Sequence, residues 1–298
     1  MNQNLHGGAS VLASRDIHLL GPARRESRPT KFILPVLVAM ILLFAFCATA
    51  ETTNTLPDAE IQGHQLAQQL LQQQPVTNFV QTGVLKIRDA QGKRSEIPIV
   101  CKIVVTVFVA GTNITIPDWQ TFYQAALTNQ SEYLRVIHTT GLTNLYSYST
   151  NASDAVPVLG DIPLVGHLFG SHQVSGPALM SPFAGSDFWI ADLGLEFFHW
   201  PAQKVLKKEV KRSRGCTVLE STNPDPTTNG YSRIVCWIDS ETLGIVQAQA
   251  YDAQGKLLKE FYPKDIKKVK GQWQVESMEI DNVQTGSRTR LEFDLKAP

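Results

Sequence analysis

Two carboxylates, Asp187 and Asp192, stand in the aromatic-rich stretch GSDFWIADL. Paired carboxylates are the groups that do general acid–base work. Aspartates at a helix start also act as caps, and the order of residues favours that role. Ser186 as N-cap, a short helix through Phe188, Trp189, Ile190 and Leu193, and a stop at Gly194 account for both carboxylates. The histidines give no metal site: His64, His138, His167, His172 and His199 have no partner at ligand spacing, although His167 and His172 share a loop. A phosphate-cradling glycine loop and a nucleophile elbow are both absent from the sequence. The residues therefore predict no catalytic group, no metal and no cofactor, and a protein that is not an enzyme.

What stands out is apolar surface. Phe183, Phe188, Trp189, Leu193, Phe197, Phe198 and Trp200 fall close together, more than one side of a thin sheet needs. Such a cluster fills a core or lines an apolar pocket. Phe183, Phe188, Trp189, Leu193 and Phe198 are the candidate residues of such a pocket or of a lid over it.

The elements that must hold this cluster are strands. Turn residues punctuate β-branched and aromatic runs from Arg214 onward, with tight turns at Asp239-Ser240-Glu241-Thr242 and Asp252-Ala253-Gln254-Gly255. Further turns are expected at Arg212 to Gly215, Lys270-Gly271 and Thr285-Gly286. The last strand, Thr289 to Leu295, alternates Leu291, Phe293 and Leu295 with Arg290, Glu292 and Asp294, the pattern of a half-wet strand. Upstream, Phe79 to Asp89 and Glu96 to Ala110 form a hairpin turned at Ala90-Gln91-Gly92. Thr115 to Leu127, Glu132 to Thr139 and Thr143 to Thr150 follow as strands. Ahead of them, Asp58 caps a helix over Ala59 to Gln74 with Leu66, Ala67, Leu70 and Leu71 on one face. About eleven or twelve strands in one meander must curl. The fold class is mainly β: a curved, unclosed antiparallel barrel with a helical lid. The segment Asn151 to Gly176 breaks the rhythm, and VPVLGDIPLVGHLFG within it is similar to a short secretin motif but reads as apolar loop chemistry.

Of 298 residues, the first 50 read as an address. A basic cluster from Arg24 to Lys31, an apolar run from Phe32 to Ala50 and the exit Ala48-Thr49-Ala50 fit a secretory signal. An uncleaved inner-membrane anchor facing the periplasm is the alternative. Residues 51–298 then form a single domain with a net charge of −3, which argues against nucleic acid as partner. Export to an oxidising periplasm permits a disulfide. Folding the Cys216 strand onto the Tyr231 strand about residue 226 sets Cys216 opposite Cys236, close enough to bridge. Two facing buried thiols are the alternative, and Cys101 is expected in the core. The basic runs from Lys204 to Arg214 and from Lys264 to Lys270 read as solvated strand faces.

Five segments in order resemble the outer-membrane lipoprotein-sorting family around the periplasmic carrier LolA. They are GSDFWIADL, GCTVLE, YSRIVCWIDSET, YDAQGKLLKE and MEIDNVQTGSRTRLEF. The resemblance is densest after Gly185. It implies a LolA-like unclosed barrel whose lid covers an apolar cavity, holding lipoprotein or lipid acyl chains without catalysis. The partners it implies are those chains, an inner-membrane donor and an outer-membrane acceptor, with the carrier as a monomer. A solid envelope scaffold of the same fold, binding protein partners, is the rival reading, and a packed interior is its signature. An enzyme would need convergent polar groups inside the barrel.

Overall fold

Thirteen strands form one antiparallel sheet among the residues that the computed structural model describes, 56–105, 119–150, 172–269 and 272–295. Six belong to a first meander: β1 (Phe79–Arg88), β2 (Arg94–Val105), β3 (Trp119–Ala126), β4 (Ser131–His138), β5 (Leu145–Ser149) and β6 (His172–Val174). Seven belong to a second: β7 (Ala202–Lys211), β8 (Arg214–Thr222), β9 (Arg233–Asp239), β10 (Ile245–Tyr251), β11 (Leu257–Val269), β12 (Gln272–Asn282) and β13 (Arg288–Phe293). The meanders fuse where β1 pairs with β13, with Gly83 opposite Phe293 and Leu85 opposite Leu291. The strand order runs β6 to β1, then β13 back to β7, so β6 and β7 are the two edges and do not pair. Strands from both meanders face one hollow, so the sheet is curved and unclosed.

Local chemistry explains the turns. The Asp89 carboxylate accepts the amides of Gln91 and Lys93. Asp239 does the same for Glu241 and Thr242, and Asp252 for Gln254 and Lys256. An aspartate that caps the amides two to four residues ahead supplies a turn with its hydrogen bonds locally. Between β7 and β8, Arg212 and Ser213 both adopt positive φ, 48° and 63°, the geometry of a two-residue hairpin turn.

Helix α1 (Leu56–Leu71) starts three residues earlier than the sequence suggests and also stops earlier. Its apolar face is the expected one: Ala67 is buried, and Leu66, Leu70 and Leu71 pack with it against the second meander. Gly63 fixes how closely α1 approaches the edge strand. A Cβ there would lie 2.5 Å from the Gln203 carbonyl, so only glycine lets helix and β7 backbone touch.

Two expectations need correction. The strand count exceeds eleven or twelve. Cys216 and Cys236 are free thiols and do not oppose one another: Cys216 pairs with Asp239, and Cys236 with Leu219. The loop folds about a point between residues 227 and 228 rather than at 226, which slips the register by three. An odd slip puts the two side chains on opposite faces of the sheet. Cys216 packs outside with Val218, Val235 and Trp237, while Cys236 packs inside with Leu219 and Ile238. The Val156 to Gly170 loop, the Lys270-Gly271 turn and the first 50 residues lie outside the described residues.

Candidate functional site: an apolar cavity beneath a strap

Residues 175–201 run from one sheet edge, β6, to the other, β7, and so cross the open side of the sheet. This strap contains a 3-10 turn at Gly176–Met180, the one-turn helix α2 (Ile190–Leu193) and a second 3-10 turn at Glu196–His199. Its first half is a tight loop: Phe183 N–H donates to the Phe188 carbonyl at 2.8 Å, and Ile190 N–H to the Ser181 carbonyl at 3.0 Å. Ala184 and Gly185 turn its tip with φ of 53° and 64°. The helix is shorter than the sequence implies. Trp189, not Ser186, is its N-cap residue, and the Ser186 hydroxyl instead closes the turn by bonding the Phe183 carbonyl and the Phe188 amide.

Beneath the strap lies a cavity of about 450 Å³. Leu70 and Leu71 of α1 and Phe188, Leu193, Phe197 and Phe198 of the strap contribute to its wall. The sheet supplies Cys101, Ile103 and Tyr123 from the first meander, and Ile234, Ala248, Phe261, Met278 and Ile280 from the second. The lining is overwhelmingly apolar and falls within the size range of small-molecule sites, about 300–1,000 Å³. Of the sequence-selected residues, Phe188, Leu193 and Phe198 reach the cavity. Phe183 does not; it is fully buried in the core, edge-on to Tyr123 with ring centroids 6.3 Å apart. Trp189 stacks on Tyr231 with ring centroids 4.4 Å apart and supports the wall from behind. Cys101, expected in the core, borders the cavity, and burial pushes its thiol up to about 12.

Sequence reasoning missed a polar group in this wall. Lys259 of β11 is buried, and its Nζ donates to the Asp187 carbonyl oxygen at 2.7 Å. The same nitrogen lies 3.4 Å from the Trp189 ring centroid and 3.9 Å from Asp192 Oδ2. Burial pulls Lys259 down to about 7, against the two nearby aspartates. Asp192 accepts the Trp189 amide at 2.8 Å and the Tyr231 hydroxyl at 3.0 Å; burial raises its pKa. Asp187 holds the hydroxyls of Ser287 at 2.6 Å and Thr289 at 2.8 Å. Both aspartates fasten the strap, as caps do, but to the sheet as well as to their own turn. In KLLKE, Lys259 reads as a wet charge; only the strap above it makes it a buried one.

The second half of the strap is fastened differently. Tyr146 donates its hydroxyl to Glu196 at 2.9 Å, and Asn144 donates to the Gly194 carbonyl at 2.8 Å. Gln203 donates to the Phe197 and Trp200 carbonyls. Burial raises Glu196 to about 7. His138 stacks on Trp119 at 3.6 Å, and burial lowers it to about 4. His138 Nε2 and His199 Nε2 have no hydrogen-bond partner. Among the described residues, no cluster of three metal-ligating side chains exists.

Several side chains of the basic runs have partners, and the two runs meet at Tyr262, whose ring lies under both Arg212 and Lys264. Lys207 meets Glu209, Lys264 meets Glu279, Lys267 meets Glu276, and Lys211 lies over Trp237.

A family model described only as an uncharacterized protein matches residues 171–295. No curated protein matches the chain. Among solved structures, a DUF1329 family protein from Desulfovibrio piger superposes with a TM-score of 0.58 at 17% identity, covering 80% of this chain and 92% of that one. A putative outer membrane lipoprotein-sorting protein domain from Vibrio parahaemolyticus gives 0.58 at 18% identity, covering 79% and 91%. The chain therefore has the fold shared by the DUF1329 and outer-membrane lipoprotein-sorting structures.

Proposed function

We propose that this protein binds the acyl chains of a lipid or a lipid-modified protein in the cavity beneath the strap, without chemistry. The single observation that carries the reading is the cavity itself: about 450 Å³, lined by both meanders, α1 and the strap. A solid scaffold would have no such space. Each methylene moved from water into it contributes roughly 0.8 kcal/mol, so a chain of about a dozen is held by about 10 kcal/mol before ordering costs. The shared fold with a lipoprotein-sorting domain supports the same reading. Loading and release need only displacement of the strap or α1, and hand-off between a donor and an acceptor protein in the envelope. A leader in the first 50 residues would place the carrier in the periplasm, cleaved or anchored, with residues 51–298 as its working domain.

Native mass spectrometry of the gently purified protein tests this. The expected result is a mass increment that disappears on denaturation and is recovered as lipid or acyl chain by extraction. A bare mass, together with failure of the stripped protein to bind a fluorescent fatty acid, would overturn it.

A further inference from the structure

An acyl chain by itself makes no use of Lys259, yet this buried cation borders the cavity. An ammonium carries three N–H donors. One serves the Asp187 carbonyl at 2.7 Å, and a second faces the Trp189 ring at 3.4 Å. Asp192 Oδ2, at 3.9 Å, is beyond hydrogen-bond reach. Neither aspartate closes on the lysine, because each carboxylate is engaged elsewhere: Asp187 by Ser287 and Thr289, Asp192 by the Trp189 amide and Tyr231. A charged donor is thus held in an apolar wall without a full set of acceptors, a costly arrangement unless something completes it.

We infer that Lys259 receives the polar end of the cavity's ligand, and that this end is the carboxylate of a single-chain fatty acid. The inference rests on the lipid-binding reading of the same cavity and names the ligand class. A carboxylate supplies both the acceptor and the charge that an ammonium in low dielectric lacks. A cationic headgroup would meet Lys259 charge to charge, and a neutral alcohol would leave its charge unmatched. Burial raises the Asp192 pKa, which lowers the cost of bringing a second carboxylate beside it. Ala250, Phe261 and Ile280 line the cavity together with Lys259, the apolar surroundings an alkyl tail requires.

The test uses the full chain, stripped of lipid, at neutral pH. Hexadecanoic acid and hexadecanol compete against a fluorescent probe in the native protein and in Lys259→Met. The acid is expected to bind at least about tenfold more tightly than the alcohol, the worth of one charged hydrogen bond. Lys259→Met should bring the acid down to the alcohol's level and leave the alcohol unchanged. Equal binding of acid and alcohol by the native protein, or a preference that survives in Lys259→Met, refutes the inference and leaves the cavity reading standing. Binding of neither removes both. Should Lys259→Met fail to fold, the native protein decides: carboxyl carbon-13 of the bound acid should titrate well below the free acid, and an unshifted titration refutes the pairing.

Discussion

The two halves of the strap are fastened to the sheet by different sets of side chains. Phe183 to Leu193 is held by ionic and charge-assisted bonds: Ala184 N–H to Glu132, Asp187 to Thr289 and Ser287, Lys259 to the Asp187 carbonyl. Gly194 to Trp200 is held by Tyr146, Asn144 and Gln203, beside two histidine nitrogens that bond nothing. Each half holds one non-glycine residue at positive φ, Ala184 at 53° and Leu195 at 50°, but Ala184 is buried and Leu195 exposed. The contrast predicts that one cover over one cavity has a firm half and a yielding half. Polar satisfaction, more than apolar burial, separates them, since both halves bury phenylalanines.

The largest effect expected to break this contrast is from Asp187→Ala. It strands the Ser287 and Thr289 hydroxyls and leaves Lys259 less compensated, so urea unfolding should show a loss of about 3 kcal/mol or more. Next come two opposed pH dependences. Glu196 is raised to about 7 in the folded state, so the folded protein binds more protons than the unfolded one between its ordinary range and neutrality. Stability from this group is present below that window and is lost as pH rises through 7. Glu196→Gln should remove the loss and gain about 2 kcal/mol at pH 8, measured by thermal or urea unfolding. Lys259 is lowered to about 7, so between 7 and its ordinary value the unfolded chain binds the extra proton. Its contribution therefore improves as pH rises, and Lys259→Met should flatten that slope.

A smaller difference should appear in hydrogen exchange. Amides of residues 194–199 should exchange faster than those of residues 183–192, and the gap should narrow in Glu196→Gln at alkaline pH. Equal protection of both halves would erase the contrast. The smallest expected effect is none: reducing agent should leave the melting temperature unchanged, because Cys216 and Cys236 lie on opposite faces.

Much of the sheet was legible because its turns carry their own chemistry. Asp239, Asp252 and Gly286 act within a few residues of themselves, so a reader of sequence meets cause and effect together. The alternation of the last strand likewise predicts that Leu291 is buried, as it is. The loop at 223–232 was misread because it holds two local turns, Asp225 N–H to Asn223 and Gly230 N–H to Thr227, while Asn223 also bonds the Tyr231 carbonyl across it, so no single residue marks its centre. That three-residue error alone turned two thiols on opposite faces into a disulfide. Aromatic clustering pointed to the segment that borders the cavity, with Phe188, Leu193 and Phe198 in its wall. It could not sort them from Phe183, which packs in the core against Tyr123, 60 residues earlier in the chain. Lys259 was invisible for the same reason at greater range, because its acceptor lies 72 positions away.

The seam between β1 and β13 has a kinetic meaning. Each meander assembles from neighbours in sequence, but Gly83 meets Phe293 only after the 210 positions that separate them have been made. Contacts so remote form late and slowly. A polypeptide still emerging from the ribosome can build hairpins yet cannot zip its first strand to its last. Such a chain stays pliable during synthesis, and its curved sheet is completed only once residue 293 is free to come home.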